Sequence, residues 1–377
     1  MSETPAKAPA NAPVGVYRPG WLLALAMSGD GLLYVLLPLI PEAFGTTLAW
    51  AGLLLAANRI IRIFAYTPLA RYAARLGGRR AGTLAAAGAV LSTAAFAVDI
   101  GEWLQLAARL VWGLSFAVLN LVTFAYAASV REQAGRRIGT IRALAGLTIT
   151  VSLLAGTYAV DRIGAHALFA IIACITLATI PLALTLPPVE IRMPAHRGFL
   201  LPRPGPIDVW AAAQGFVVDG VFIVSLAILL KESVSGFAPA LAAGMVMSLR
   251  WIVETFCSPA GGWLADRFGA TRVMLVFGMG TAAGMAAIGF GFVYAGATFV
   301  TLLRGLTNTT AAAMVAERNP GDPVGAQSIY STYRDIGAAL GPIVAGLYLD
   351  DIGQMPLYLA LAAILGGSAA FLDRARR

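Results

Sequence analysis

From about residue 20 onward, apolar stretches of roughly twenty residues alternate with short polar joints, and the alternation repeats twelve times. The runs are 21–41, 48–71, 80–98, 103–130, 138–160, 165–187, 208–230, 239–264, 272–293, 296–316, 327–349 and 355–372. Each is long enough to cross about 30 Å of hydrocarbon as a helix. The pattern predicts an all-α membrane protein with twelve transmembrane helices. The longest polar joint, about 188–207, holds Glu190, Arg192, Arg197, Arg203 and several prolines. It divides the chain into a six-helix bundle over 20–190, a linker over 191–207 and a second six-helix bundle over 208–377 that ends in a short tail. Residues 1–19 are polar and rich in Pro and Ala, the composition of a disordered segment. The first run starts at Trp21, contains Asp30 and has no small-residue cleavage site after a short core, so it reads as a retained span rather than a signal peptide.

Composition agrees with the pattern. Hydrophobic residues make up 59% of the chain and charged residues 12%, and mean hydropathy is +0.77. A soluble domain carries about 25% charge. The net charge of +8 would suggest nucleic acid in a soluble protein, but here the arginines sit in short joints between spans, where they set topology. Eighteen of the 27 Lys and Arg fall on the side of the N-terminus and only Arg162 and Lys231 on the other, which predicts that both termini are cytoplasmic. Cys174 and Cys257 lie inside apolar runs and form no metal or disulfide pattern. His166 and His196 lie at loops, and no nucleotide-binding or catalytic motif occurs. The sequence therefore points away from an enzyme, from a bound cofactor or metal, and from nucleic acid.

The two halves can be laid over one another. Gly29-Asp30-Gly31 in span 1 matches Val218-Asp219-Gly220 in span 7. Arg59 lies nine residues before Pro68 and nineteen before Gly78, as Arg250 does before Pro259 and Gly269. Arg109 and Arg304 recur in spans 4 and 10, and Arg142 and Arg334 in spans 5 and 11, followed by Ala155-Gly156 and Ala345-Gly346. Matched charges in matched order indicate an internal duplication.

Span 8 ends in Gly262-Trp-Leu-Ala-Asp266-Arg267-Phe-Gly269-Ala-Thr-Arg272. This stretch resembles the G-x-x-x-D-R-x-G-x-x-R loop of the major facilitator superfamily of secondary transporters. Arg109-Leu-Val-Trp-Gly113 is similar to the family's span 4 motif, and Arg334-Asp335-Ile-Gly337-Ala-Ala-Leu-Gly341-Pro342 to its Gly-Pro motif. The resemblance implies two pseudo-symmetric six-helix halves that rock about a substrate site near the midplane. The corresponding loop between spans 2 and 3 departs from the signature, with Arg75 standing where the family carries Asp. In the family this loop contributes to a cytoplasmic gate.

A charge inside a span is costly and marks a functional position. Arg59 and Arg250, near mid-membrane in opposite halves, are suited to grip one anion bidentately. Their placement is similar to that of nitrate and organic-anion members of the family, although the glycine-dense nitrate signature is absent. Tyr34 and Trp251 are candidate walls of the same site. Asp30, Asp219 and Glu254 are candidates for proton coupling or for fixed counter-ions. Arg109, Arg304, Arg334, Asp335 and the loop residues Gly262, Asp266, Arg267, Gly269 and Arg272 are expected to serve gating or structure. Internal pairing is the competing account of the buried arginines: Arg59 with Asp30, Arg250 with Asp219 or Glu254, and Arg334 with Asp335. Arg142, near the inner end of its span, is expected to reach the surface.

These features predict a monomeric, proton-coupled transporter of a small organic anion or zwitterion in the lipid bilayer of a bacterial inner membrane. Two alternatives stand beside it. One is a proton-antiport drug or metabolite exporter in which the membrane acids recognise a cation. The other is a transport-inactive sensor on the same fold.

Overall fold

The computed structural model describes residues 15–128, 134–189, 203–233, 239–318, 323–349 and 351–374. Twelve helical units follow one another in it. The first half comprises α1 (Tyr17–Leu39), α2 (Leu48–Leu76), α3 (Gly78–Ala95), α4 (Glu102–Ala128), α5 (Ala134–Ile163) and α6 (Ala165–Leu177 continuing as Thr179–Leu184). The second half comprises α7 (Pro206–Gln214, Gly215–Val221 and Phe222–Ser233), α8 (Pro239–Phe268), α9 (Ala270–Gly289), α10 (Val293–Arg318), α11 (Pro323–Tyr348) and α12 (Gln354–Arg374). α1 begins at Tyr17, ahead of the expected Trp21, because Pro19 falls in its first turn, where its missing N–H costs nothing.

Among the described residues, eight of the units are long and apolar enough by hydropathy alone to cross a membrane. The other four are α3, α8, α10 and α11. α3 opens on Gly-Arg-Arg and α11 carries Arg334 and Asp335, so charge lowers the hydropathy of these two helices.

Tight turns preserve the duplication. α2 and α3 are joined through Gly77 at φ 78°, and α8 and α9 through Gly269 at φ 85°, a left-handed geometry that glycine adopts without a Cβ penalty. The turn glycine of the first half is therefore Gly77, one residue before the Gly78 that spacing alone matched to Gly269. These two loops lie on the face of the bundle that carries Arg71, Arg75, Arg79, Arg80, Arg267 and Arg272, called the basic face below.

Two main seams join the halves. α2 packs on α11, and α5 packs on α8. Both are tightest toward the face opposite the arginines. A Cβ on Gly346 would lie 2.8 Å from the Leu48 carbonyl oxygen, and one on Gly244 would lie 2.9 Å from a Thr157 methyl and 3.0 Å from the Leu153 carbonyl oxygen. One apolar core, including Leu36, Phe44, Phe96 and Phe169, runs from this end of the first half into the second. On the basic face the first half has a separate core around Leu22, Ala85, Leu119 and Tyr126. The described contacts thus close the bundle on the face opposite the arginines.

Candidate substrate site between the halves

The centre of the second half is a carboxylate surrounded by guanidinium groups. α7 is π-helical from Gly215 to Val221, a widened turn that recurs at functional sites. Its Gly220 approaches Gly341 of α11 so closely that a Cβ there would lie 2.6 Å from the Gly341 Cα. This places Asp219, whose side chain is 3% exposed, against α8, α10 and α11. Arg304 donates from Nε at 2.8 Å and Nη2 at 2.6 Å to Oδ1. Arg334 donates from Nε to Oδ2 at 2.8 Å. Arg250 Nη2 reaches Oδ1 at 3.5 Å. A fourth arginine arrives from the other half: Arg59 Nη1 donates to the Asp219 carbonyl at 2.9 Å and to the Ala338 carbonyl at 2.6 Å.

The first half is built differently. Asp30 accepts Arg109 Nη1 at 2.6 Å and, more weakly, Asn58 Nδ2 at 3.4 Å. Arg109 also donates from Nε to the Leu54 carbonyl at 3.0 Å, while its buried Nη2 has no hydrogen-bond partner. Tyr34 offers its ring to Arg59 at 5.2 Å and to Arg109 at 5.9 Å, within cation–π range. The Asp30 side chain is 15% exposed, five times the 3% of Asp219.

Several expected partners are redistributed. Arg59 spans the interface to two carbonyls of the second half instead of folding back on Asp30. Arg109 and Arg304, assigned to gating or structure by position, are the closest guanidinium partners of the two acids. Arg334 binds Asp219, and Asp335 receives Arg62 across the α2–α11 seam at 3.7 Å. The reason is helical: consecutive residues project about 100° apart, so Arg334 faces α7 while Asp335 faces α2. Asn58 and Arg62 were missed. Their only signal was the i−1 and i+3 spacing from Arg59 in an apolar run. Arg62 also lies over the Phe116 ring at 4.8 Å.

The duplication breaks at span 5. Arg142 precedes Gly156 by fourteen residues, whereas Arg334 precedes Gly346 by twelve. The two-residue offset turns the side chain by about 200°, and Arg142 is exposed. Leu144 holds the place that corresponds to Arg334. Trp251 lies half-buried beside Arg250, 5.6 Å from ring centre to guanidinium carbon. Arg267 packs over Trp263 at 5.3 Å, and Arg272 is exposed on the basic face. The side chains of Glu254 and Asp266, and Gly262 beyond its backbone, lie outside the described residues, as do residues 1–14 and 190–202.

A family model described as Major Facilitator Superfamily matches residues 21–227 and 209–376. The chain belongs to the major facilitator superfamily. As a member it is a multi-pass membrane protein of a transporter family, not an enzyme. The solved structure of the nucleoside transporter NupG superposes with a TM-score of 0.77 at 14% identity, covering 96% of this chain and 99% of that one. The D-xylose-proton symporter superposes at 0.74 and 14% identity, covering 95% and 97%. At such identities the likeness establishes the superfamily fold alone. Among curated proteins, the Multidrug resistance protein MdtG of Rahnella sp. (strain Y9602) is 32% identical over 127 residues, covering 33% of this chain and 31% of that protein. Its counterpart from Salmonella typhi is 31% identical over 127 residues, with 33% and 31% covered. The match therefore spans about a third of the curated relatives' length.

Proposed function

We propose that this superfamily member carries a small organic anion or zwitterion by alternating access between its halves, driven by protons, in the inner membrane with both termini cytoplasmic. The observation that carries the reading is the gathering of Arg250, Arg304 and Arg334 around the single carboxylate of Asp219, with Arg59 on its backbone carbonyl. A guanidinium presents a planar fork that matches a carboxylate or phosphate and remains charged throughout a transport cycle.

Exposure separates the roles of these arginines. Arg304, at 3% side-chain exposure, is the fixed partner of Asp219, whereas Arg250 at 18% and Arg334 at 31% can exchange that carboxylate for one on the solute. Arg59 holds the halves together across the site, with Tyr34 and Trp251 as flanking walls. An apolar recess of about 10 Å³, walled by Val218, Phe222, Ile223 and Met247, adjoins Arg250 and Arg304; it has room for about one water molecule. Asp30, with one guanidinium and one amide on it and some solvent access, is the coupling acid in this scheme. Glu254, one helical turn from Arg250 in sequence, is its rival.

The closest competing reading, a proton-antiport exporter of drugs, is favoured by the partial likeness to proteins named for multidrug resistance. Uptake into proteoliposomes under an imposed pH gradient separates the two. Acid-driven uptake of an organic anion that Asp30→Asn reduces to the rate seen without a gradient supports the proposal. Efflux of a cationic drug that depends on Asp30, with no anion flux, would replace it with the exporter.

A further inference from the structure

The loop between α2 and α3 departs from the family signature, and the transport scheme gives that departure no role. From Leu69 to Ala85 the chain contains Arg71, Arg75, Arg79 and Arg80 and no acid, whereas the matching stretch of the second half has Asp266 in sequence beside Arg267 and Arg272. All four arginines of the first loop are exposed. Arg79 donates from Nε to the Leu186 carbonyl at 2.5 Å, which holds its stem against the segment that follows α6.

Between α2, α3 and α4 lies a groove of about 160 Å³, with Arg75 one helical turn from Tyr72 and Arg80 one turn from Leu84 at its mouth. Leu69 and Ala73 of α2, Ala81 and Ala85 of α3, and Leu114 and Val118 of α4 form its apolar walls. Its mouth is flanked by Tyr72 at 54% exposure and Leu84 at 57%, so it opens sideways, away from the interface between the halves. A lateral opening at this depth faces lipid tails. The wall is recessed because α3 carries alanine and glycine where it meets α4: a Cβ on Gly88 would collide with Ser115.

An apolar slot in one leaflet beneath a purely cationic rim matches an anionic phospholipid, with an acyl chain in the slot and the phosphate among the guanidinium groups. Basic pockets between transmembrane helices are suited to such headgroups, and charge near the surface contributes about 1 kcal/mol per arginine. We infer that the α2–α3–α4 groove is a binding site for an anionic phospholipid, anchored by Arg71, Arg75 and Arg80, with one acyl chain between Leu84 and Leu114. The lipid would brace the loop electrostatically where related proteins place an aspartate.

Native mass spectrometry of the detergent-purified full chain tests this with phosphatidylglycerol and phosphatidylcholine of matched chains. The wild type should retain phosphatidylglycerol preferentially. Replacing Arg71, Arg75 and Arg80 together by Ala should lower that preference by roughly fivefold per arginine, while replacing all three by Lys should largely keep it. Arg75→Asp alone, which restores the acid of the family signature, keeps the test decisive if the triple Ala variant does not fold. Leu84→Trp, which fills the groove with the arginines intact, should weaken phosphatidylglycerol retention. An unchanged preference in the folded Ala variant or in Arg75→Asp would overturn the inference. So would an equal loss on replacing the three tail arginines Arg374, Arg376 and Arg377 by Ala, since net charge would then explain retention. Full competition by millimolar inorganic phosphate would also overturn it, by reassigning the rim to a soluble anion.

Discussion

The two halves share one scaffold and one acid at the same place in it, yet Asp30 and Asp219 are held in opposite ways. Asp219 is buried under three guanidinium groups, with a fourth on its backbone carbonyl. Asp30 has Arg109 and an amide at the edge of bonding distance, and retains solvent access. Duplication supplies two equivalent frames, and small departures from the repeat then give them different chemistry. The two-residue offset that points Arg142 outward and Arg334 inward is one such departure. It makes one acid an organiser of cations and leaves the other with fewer partners and more access to solvent.

The largest effect should come from removing the organiser. Asp219→Asn leaves Arg250, Arg304 and Arg334 facing one another without their common carboxylate, and breaking a buried pair costs about 3–5 kcal/mol. Fluorescence-detected size exclusion and thermal unfolding should show a sharp fall in folded yield, and a smaller fall for Asp30→Asn, which leaves one guanidinium, Arg109, without its carboxylate rather than three. Similar stability of the two variants would erase the contrast.

A smaller difference should separate the arginines. Arg109→Ala removes the one guanidinium that the described residues place on Asp30, while Arg334→Ala leaves Asp219 with Arg304 and Arg250. The first should destabilise by about 3 kcal/mol and the second by about 1 kcal/mol, read as apparent melting temperatures in one detergent. The reverse order would mean that Arg334 is the principal counter-ion.

The smallest effect concerns the seam. Arg62 and Asp335 are 3.7 Å apart and 10% and 25% exposed, a pair of the modest kind worth about 0.2–1 kcal/mol. Arg62→Ala should shift the balance toward opening on the face opposite the arginines by at most about fivefold. This can be read from the labelling rate of a cysteine placed at Ala49, on α2 beside Gly346, in a chain whose Cys174 and Cys257 are replaced. A labelling rate equal to that of the parent would show that Arg59 and the tight helix contacts close this face without it.

Much of this architecture was legible in the sequence, for physical reasons. Twelve apolar runs specify twelve helices because backbone groups in lipid must be satisfied within each segment, and the costly arginines stood out as candidates because charge in a span is rare. Pairing was not legible. Whether Arg334 takes Asp219 or its neighbour Asp335 depends on how α11 is rotated, and whether Arg59 bonds Asp30 or crosses to Ala338 depends on which face of the bundle is closed. Neither is encoded in spacing alone. Arg62 and Asn58 escaped because their chemistry lies in contacts to other spans.

The central claim is that the guanidinium groups around Asp219 form an anion site whose exchangeable members are Arg250 and Arg334. The most direct test is a thermal-shift screen of the purified protein with organic anions, amino acids and cationic drugs, repeated on Arg250→Lys, Arg334→Lys and Asp30→Asn, since a ligand of the folded state raises its apparent stability by mass action. The account expects stabilisation by one class of organic anion, lost in both Lys variants because the fork is gone and retained in Asp30→Asn. Stabilisation by cations alone, or by anions equally in the wild type and both Lys variants, would contradict it.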